Sequence, residues 1–131
     1  DVDPAIRYRE AVTACSLCPD KPLIGMGDIN ARVANRTPRG SALSRSSLDD
    51  IINTRGRWLL RLCGDNGLTI LNGTVKEIDA PGAFTSFQPL GSTVIDFVIA
   101  SAGMLPRIRD RSIRITKALE WSDHAQLEVE V

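Results

Sequence analysis

Apolar positions along the chain fall into short runs separated by turn-forming residues, and their spacing predicts alternating helices and strands. Pro4 suits the first turn of a helix, and Ile6, Arg9, Glu10 and Val12 continue a helical spacing to about Leu17, where Pro19 and Pro22 close it. Leu23–Gly27 is a brief apolar run bounded by turn formers, which predicts a buried strand with Asp28-Ile29-Asn30 leaving its C-terminal end. Residues 31–54 are rich in Arg, Ser, Asn and Asp and have no period, so they predict a long loop of the kind that is usually functional or disordered. From Gly56 to Asp65, Trp58, Leu59, Leu62 and Cys63 share one helical face, and Asn66-Gly67 supplies a left-handed stop. Strands are predicted at Leu68–Asn72, Ala83–Gln88, Thr93–Ala100, Ser112–Lys117 and Ala125–Val131, the second and third joined by a hairpin-like Pro89–Ser92 connection.

Three strands in succession after the last helix argue against a purely parallel, doubly wound sheet. The expected fold is α/β, a mixed β-sheet with helices on one face, in one domain spanning residues 1–131. The chain opens on Asp1 rather than Met, which reads as a processed or excised piece without a signal peptide in view. Its 43% hydrophobic and 24% charged residues sit near globular averages, and its apolar runs are far shorter than a bilayer span, so no membrane partner is expected. Three cysteines make a disulfide scaffold improbable and predict a reducing, intracellular location, the nucleus included. Cys15 and Cys18 form a Cys-x-x-Cys pair, but zinc would need two more ligands and only Cys63 and His124 remain.

Net charge is zero, which excludes a globally basic nucleic-acid coat. The balance hides an asymmetry: residues 32–61 hold seven arginines against Asp49 and Asp50, a local 7 − 2 = +5. Arginine grips phosphate through a planar fork, so Arg32, Arg36, Arg55 and Arg57 become candidate substrate contacts beside the Asp28–Asn30 turn. A solvated loop and an ordinary helix face are the plainer alternative.

Candidate chemistry lies in three segments. In Gly27-Asp28-Ile29-Asn30 a carboxylate and an amide two residues apart sit at a sheet rim, an arrangement an Asx turn also explains. Within Ser92–Ile99, Asp96 interrupts a β-branched, apolar run and needs a partner or an edge position, because an unpaired buried charge is costly. In Trp121-Ser122-Asp123-His124, the chain's only histidine stands beside Asp123, an oxygen ligand suited to a hard cation.

In this order, Gly27-Asp28-Ile29-Asn30, Ser92 to Phe97 and Ser122-Asp123-His124 resemble the endonuclease/exonuclease/phosphatase superfamily, which includes DNase I-like, apurinic-site and retrotransposon endonucleases. Gly56–Cys63 followed by Gly67–Gly73, together with Thr85–Pro89, resembles its retroelement-type branch. The resemblance runs from about Pro22 to Val131 and implies Mg²⁺- or Mn²⁺-dependent cleavage of phosphodiester bonds in DNA. It assigns Asp28 to the attacking water, Asn30 and His124 to the phosphate, Asp96 to His124, and Asp123 to the metal.

The family's domain is a two-sheet α/β sandwich, and the chain resembles only its C-terminal half. The N-terminal half, with the Asn and Glu that hold the metal, has no counterpart here, since Glu10 lies too close to the first strand. The isolated chain is therefore expected to cleave little or nothing, to lack the partner half of its own domain, and to leave an apolar sheet face exposed. Two alternatives stay open: a phosphatase of the same superfamily acting on lipid or inositol phosphates, and a non-catalytic remnant that binds nucleic acid.

Overall fold

The computed structural model describes residues 6, 9, 10, 22–78, 82–117 and 122–131. Of the predicted N-terminal helix, Ile6, Arg9 and Glu10 are helical and the rest lies outside the described residues, as do Cys15, Cys18 and Trp121. The described strands are β1 (Ile24–Asp28), β2 (Leu68–Ile70), β3 (Ser86–Gln88), β4 (Gly91–Thr93), β5 (Asp96–Ser101), β6 (Ile113–Thr116) and β7 (Gln126–Val129). One α-helix, α1 (Thr54–Asp65), is described from end to end, along with a 3-10 turn at Leu105–Arg107. None of the described helices is long and apolar enough to cross a membrane.

The α/β expectation holds, but among the described strands the pairing is antiparallel, in three small sheets ordered β1-β5-β2, β3-β4 and β6-β7. The physical reason lies in β5. Strands β1 and β2 run the same way, as a helical crossover requires, yet β5 enters between them antiparallel to both. Period-two alternation then divides β5 between two cores. Phe97 and Ile99 face Leu59, Leu62 and Cys63 of α1, with Leu68 and Ile70 of β2. Val98 and Ala100 face the other way, against Met104, Ile108 and Ile113. The sheet face expected to lie bare is thus covered at β5, and its apolar exposure is confined to β1, where Met26 is 48% exposed.

Helix α1 begins two residues earlier than its apolar spacing predicts, because Asn53 caps it by accepting the Gly56 N–H at 2.7 Å. It ends as expected at Gly67, whose φ of 66° is the left-handed stop. The predicted strand Thr93–Ala100 is split. At Val94–Ile95 the chain leaves the β3-β4 hairpin and joins the central sheet. Side chains replace the missing ladder there: Val94 N–H donates to Asp49 Oδ2 at 3.1 Å, while Ile95 and Asp96 N–H donate to Thr85 Oγ1 at 2.9 and 3.0 Å. Residues 31–53 form a long loop, as expected, held by a bridge between Val33 and Ile52 and by backbone bonds from the Ser46 N–H to the Gly73 carbonyl and from the Leu48 N–H to the Gly82 carbonyl.

Candidate active site

Register on β1 and β5 places Asp28 directly opposite Asp96. Side chains on opposed residues of an antiparallel pair share a face, so two carboxylates meet where like charges repel. Asp28 is exposed at the sheet rim and Asp96 is 5% exposed. A third segment relieves the conflict. Residues 123–125 run beside β3: Phe87 N–H donates to the Asp123 carbonyl at 2.7 Å, and Ala125 N–H to the Thr85 carbonyl at 2.8 Å. Ser86 and His124 form a β-bridge between these two segments.

His124 Nδ1 lies 2.9 Å from Asp96 Oδ2 and 3.1 Å from Oδ1. Its other ring nitrogen, Nε2, lies 4.0 Å from Asp28 Oδ2. Asp28 is itself oriented, because its Oδ1 accepts the Asn30 N–H at 2.8 Å in an Asx turn that takes Asn30 to a left-handed φ of 56°. The Asp96 hydrogen bond raises the His124 pKa above its ordinary value against the opposing effect of burial, with the Asp96, Asp28 and Asp123 charges adding to the rise. Burial pushes the Asp96 carboxyl up, opposed by the His124 and Thr85 hydrogen bonds. These contacts stabilise the imidazolium relative to that of a free histidine, with Nδ1–H donating to Asp96.

An open cleft of about 560 Å³ lies over this group. Asp28, Asn30 and His124 line it, with Arg32, Asn53, Arg55, Ser86 and Gln88 among the other walls. Of the predicted substrate contacts, Arg32 and Arg55 line the cleft, whereas Arg36 and Arg57 are exposed elsewhere. The arginine-rich stretch is not one basic patch. Arg45 is 7% exposed and donates to three carbonyls, those of Asn72, Ala34 and Arg36. Arg39 pairs with Asp65, and Arg32 with Asp49.

The structure does not gather Asp123 with the others. It is exposed, and the acidic group whose ligand atoms all lie within 4.8 Å of one another is Asp28, Asp96 and His124. Alternation explains this, since neighbours on an extended segment point to opposite sides and His124 takes the side facing Asp96. Asp28, Asp96 and His124 are a group that could hold a metal ion. Mg²⁺ keeps several waters and needs only one or two carboxylates; both Asp96 oxygens are within 3.1 Å of His124 Nδ1 and Asp28 Oδ1 accepts the Asn30 N–H, so Asp28 would be the anchoring carboxylate.

Two supporting residues escaped the sequence reading. Thr85, fully buried, fixes the start of β5 through its hydroxyl and the His124 segment through its carbonyl. Asn72, also fully buried, donates from Nδ2 to the Asp96 carbonyl at 2.9 Å and accepts the Val98 N–H at 2.8 Å. Asn72 and Thr85 lie within Gly67–Gly73 and Thr85–Pro89, segments that carry the resemblance, but a polar residue at the end of an apolar run, as Asn72 is, reads equally well as a turn.

Comparison with protein-family models, with curated proteins and with solved structures finds no match to this chain.

Proposed function

We propose that this chain carries the phosphate-facing part of a phosphodiester-hydrolysing site that acts on DNA, of the endonuclease/exonuclease/phosphatase type. The observation that carries the reading is the meeting of Asp28, Asp96 and His124 from three separate segments, with Nδ1 of the histidine held at 2.9 Å by a buried carboxylate. Phosphodiester hydrolysis needs a proton acceptor for water and a donor to the developing negative charge on phosphoryl oxygen. Asp28 is the acceptor, oriented by the Asn30 N–H. His124 is the donor in its protonated form: Asp96 holds Nδ1–H, and Nε2–H is left to donate on the side where Asp28 also lies. Arg32 and Arg55 supply positive charge along the same walls.

In this reading the chain corresponds to the C-terminal half of a two-sheet sandwich and works with DNA inside the cell. Mg²⁺ or Mn²⁺ belongs to such chemistry; Asp28 would hold it through a carboxylate oxygen, and the ion would polarise a phosphoryl oxygen. As one half of the sandwich, the isolated chain binds phosphodiesters without cleaving them efficiently.

The test uses the single histidine. A short DNA oligonucleotide titrated into the protein is followed at the His124 ring resonances by NMR. The reading predicts a saturable shift, abolished in the presence of about 1 M salt, where charge contacts to phosphate are screened. Binding that leaves His124 unmoved, or no binding at all, overturns it. Inositol phosphates that move His124 where DNA does not would instead assign a small phosphoester substrate.

A further inference from the structure

The loop between β1 and α1 is organised by a carboxylate that plays no part in the group above. Asp49 is 3% exposed. Its Oδ2 accepts from Arg32 Nε at 2.9 Å and its Oδ1 from Arg32 Nη2 at 2.7 Å. It also accepts the backbone N–H of Ile51 and of Val94, each at 3.1 Å. Asp49 therefore ties Arg32, just past the Asp28–Asn30 turn, to the junction that leads into Asp96. Burial raises its pKa, but these donors outweigh burial and hold the carboxyl below the ordinary range. The backbone of Arg32 is fixed as firmly. Its N–H donates to Asn53 Oδ1 at 3.0 Å, its carbonyl accepts the Asn53 N–H at 3.0 Å, and a Cβ at Gly56 would fall on that carbonyl.

A guanidinium carries five N–H donors in a rigid fork. Asp49 engages the Nε–Nη2 edge, which leaves the Nη1 side to meet a second partner. The Arg32 side chain is 29% exposed and lines the cleft that Asp28 and His124 share. A cleft of about 560 Å³ is in the range that takes a drug-sized ligand, larger than one phosphate. Gripping an anion with a long side chain normally costs rotamer entropy at the moment of binding, and an arginine already locked avoids that loss.

We propose that Asp49 is a positioning residue that presents the Arg32 guanidinium to a second phosphate of the substrate, beside the one facing His124. This rests on the phosphodiester reading of the cleft and sharpens its substrate class to a strand with at least two phosphates, rather than an isolated phosphate ester.

Asp49→Asn is the deciding variant, because it keeps the shape while adding one positive charge to the locality. If Asp49 only neutralised Arg32, its removal would tighten DNA binding and steepen the salt dependence. Positioning predicts the reverse sign. Anisotropy with a short single-stranded DNA oligonucleotide, between about 50 and 200 mM salt, should show affinity about tenfold weaker. The slope of log affinity against log salt should fall by about 0.7, one phosphate contact. Arg32→Lys keeps the charge but loses the fork, should also weaken binding about tenfold, and decides the question if thermal melting shows Asp49→Asn unfolded. The His124 resonances of the free proteins stay at their wild-type positions in both, which separates loss of Arg32 placement from collapse of the site. Folded Asp49→Asn that binds equally or more tightly overturns the inference and leaves the phosphodiester reading standing, as does unchanged binding by Arg32→Lys. Failure of the wild type to bind the oligonucleotide overturns both.

Discussion

Asn72 stands where β2 ends, and its side chain does for β5 what two further strand residues would do. Truncation in Asn72→Ala strips the partners from the Asp96 carbonyl and the Val98 N–H, both on the buried central strand. Each buried group left without a partner costs about 1–3 kcal/mol. The vacated volume adds about 1 kcal/mol where the site cannot collapse. The expected destabilisation is thus about 3–7 kcal/mol, a large share of the roughly 5–15 kcal/mol that holds an ordinary domain together. Urea unfolding followed by far-ultraviolet circular dichroism measures it. With a urea m-value of about 2 kcal/mol per molar, the midpoint should fall by about 1.5–3.5 M. Because Asn72 holds the backbone of Asp96, the His124 ring resonances should also shift in the folded variant. A midpoint change below about 0.5 M, with His124 unmoved, would refute the reasoning: the two backbone groups would then be satisfied by some other route.

Three further outcomes are expected. His124 has a raised pKa in the folded chain, so its stabilising contribution is complete below the ordinary value of 6.5 and is lost as pH rises through the folded value. The urea midpoint of the wild type should decline over that window relative to His124→Gln, and two parallel pH profiles would remove the charge coupling. Burial pushes the Cys63 thiol up to about 12, so in a Cys15→Ser, Cys18→Ser background a thiol reagent should label it only as fast as the protein unfolds; prompt labelling would contradict its burial. Gly56→Ala drives a methyl onto the Arg32 carbonyl and should cost about 1–3 kcal/mol in urea titrations despite the better helix propensity of alanine, whereas a stabilised variant would show that the loop can yield.

Much of the scaffold was legible because it follows from period and punctuation. The strand at 24–28, the helix face of Leu59, Leu62 and Cys63, and the stop at Gly67 were each written in local spacing. Asp96 was legible for a different reason. A carboxylate inside an apolar run demands a partner, and the sole histidine was an evident one to find there. What stayed hidden was the partnering of polar residues across long stretches of sequence. Asp49 reaches Val94 over 45 residues and Thr85 reaches Asp96 over 11, with no periodicity to announce either bond. The same blindness affected the arginines. Seven cations in one segment read as a surface, yet Arg45 is interior because three backbone carbonyls turn inward to meet it. The run from Thr93 to Ala100 read as one strand because side-chain pattern says nothing about which sheet receives the backbone.

One imidazole lies between the carboxylates of Asp28 and Asp96. Long-range proton–nitrogen NMR of the unique histidine across a pH titration tests it most directly. The expected result is a pKa above the ordinary histidine value and a proton retained on Nδ1, with the pKa falling in Asp96→Asn and, to a lesser extent, in Asp28→Asn. A histidine that titrates at or below 6.5 and ignores both substitutions would contradict it.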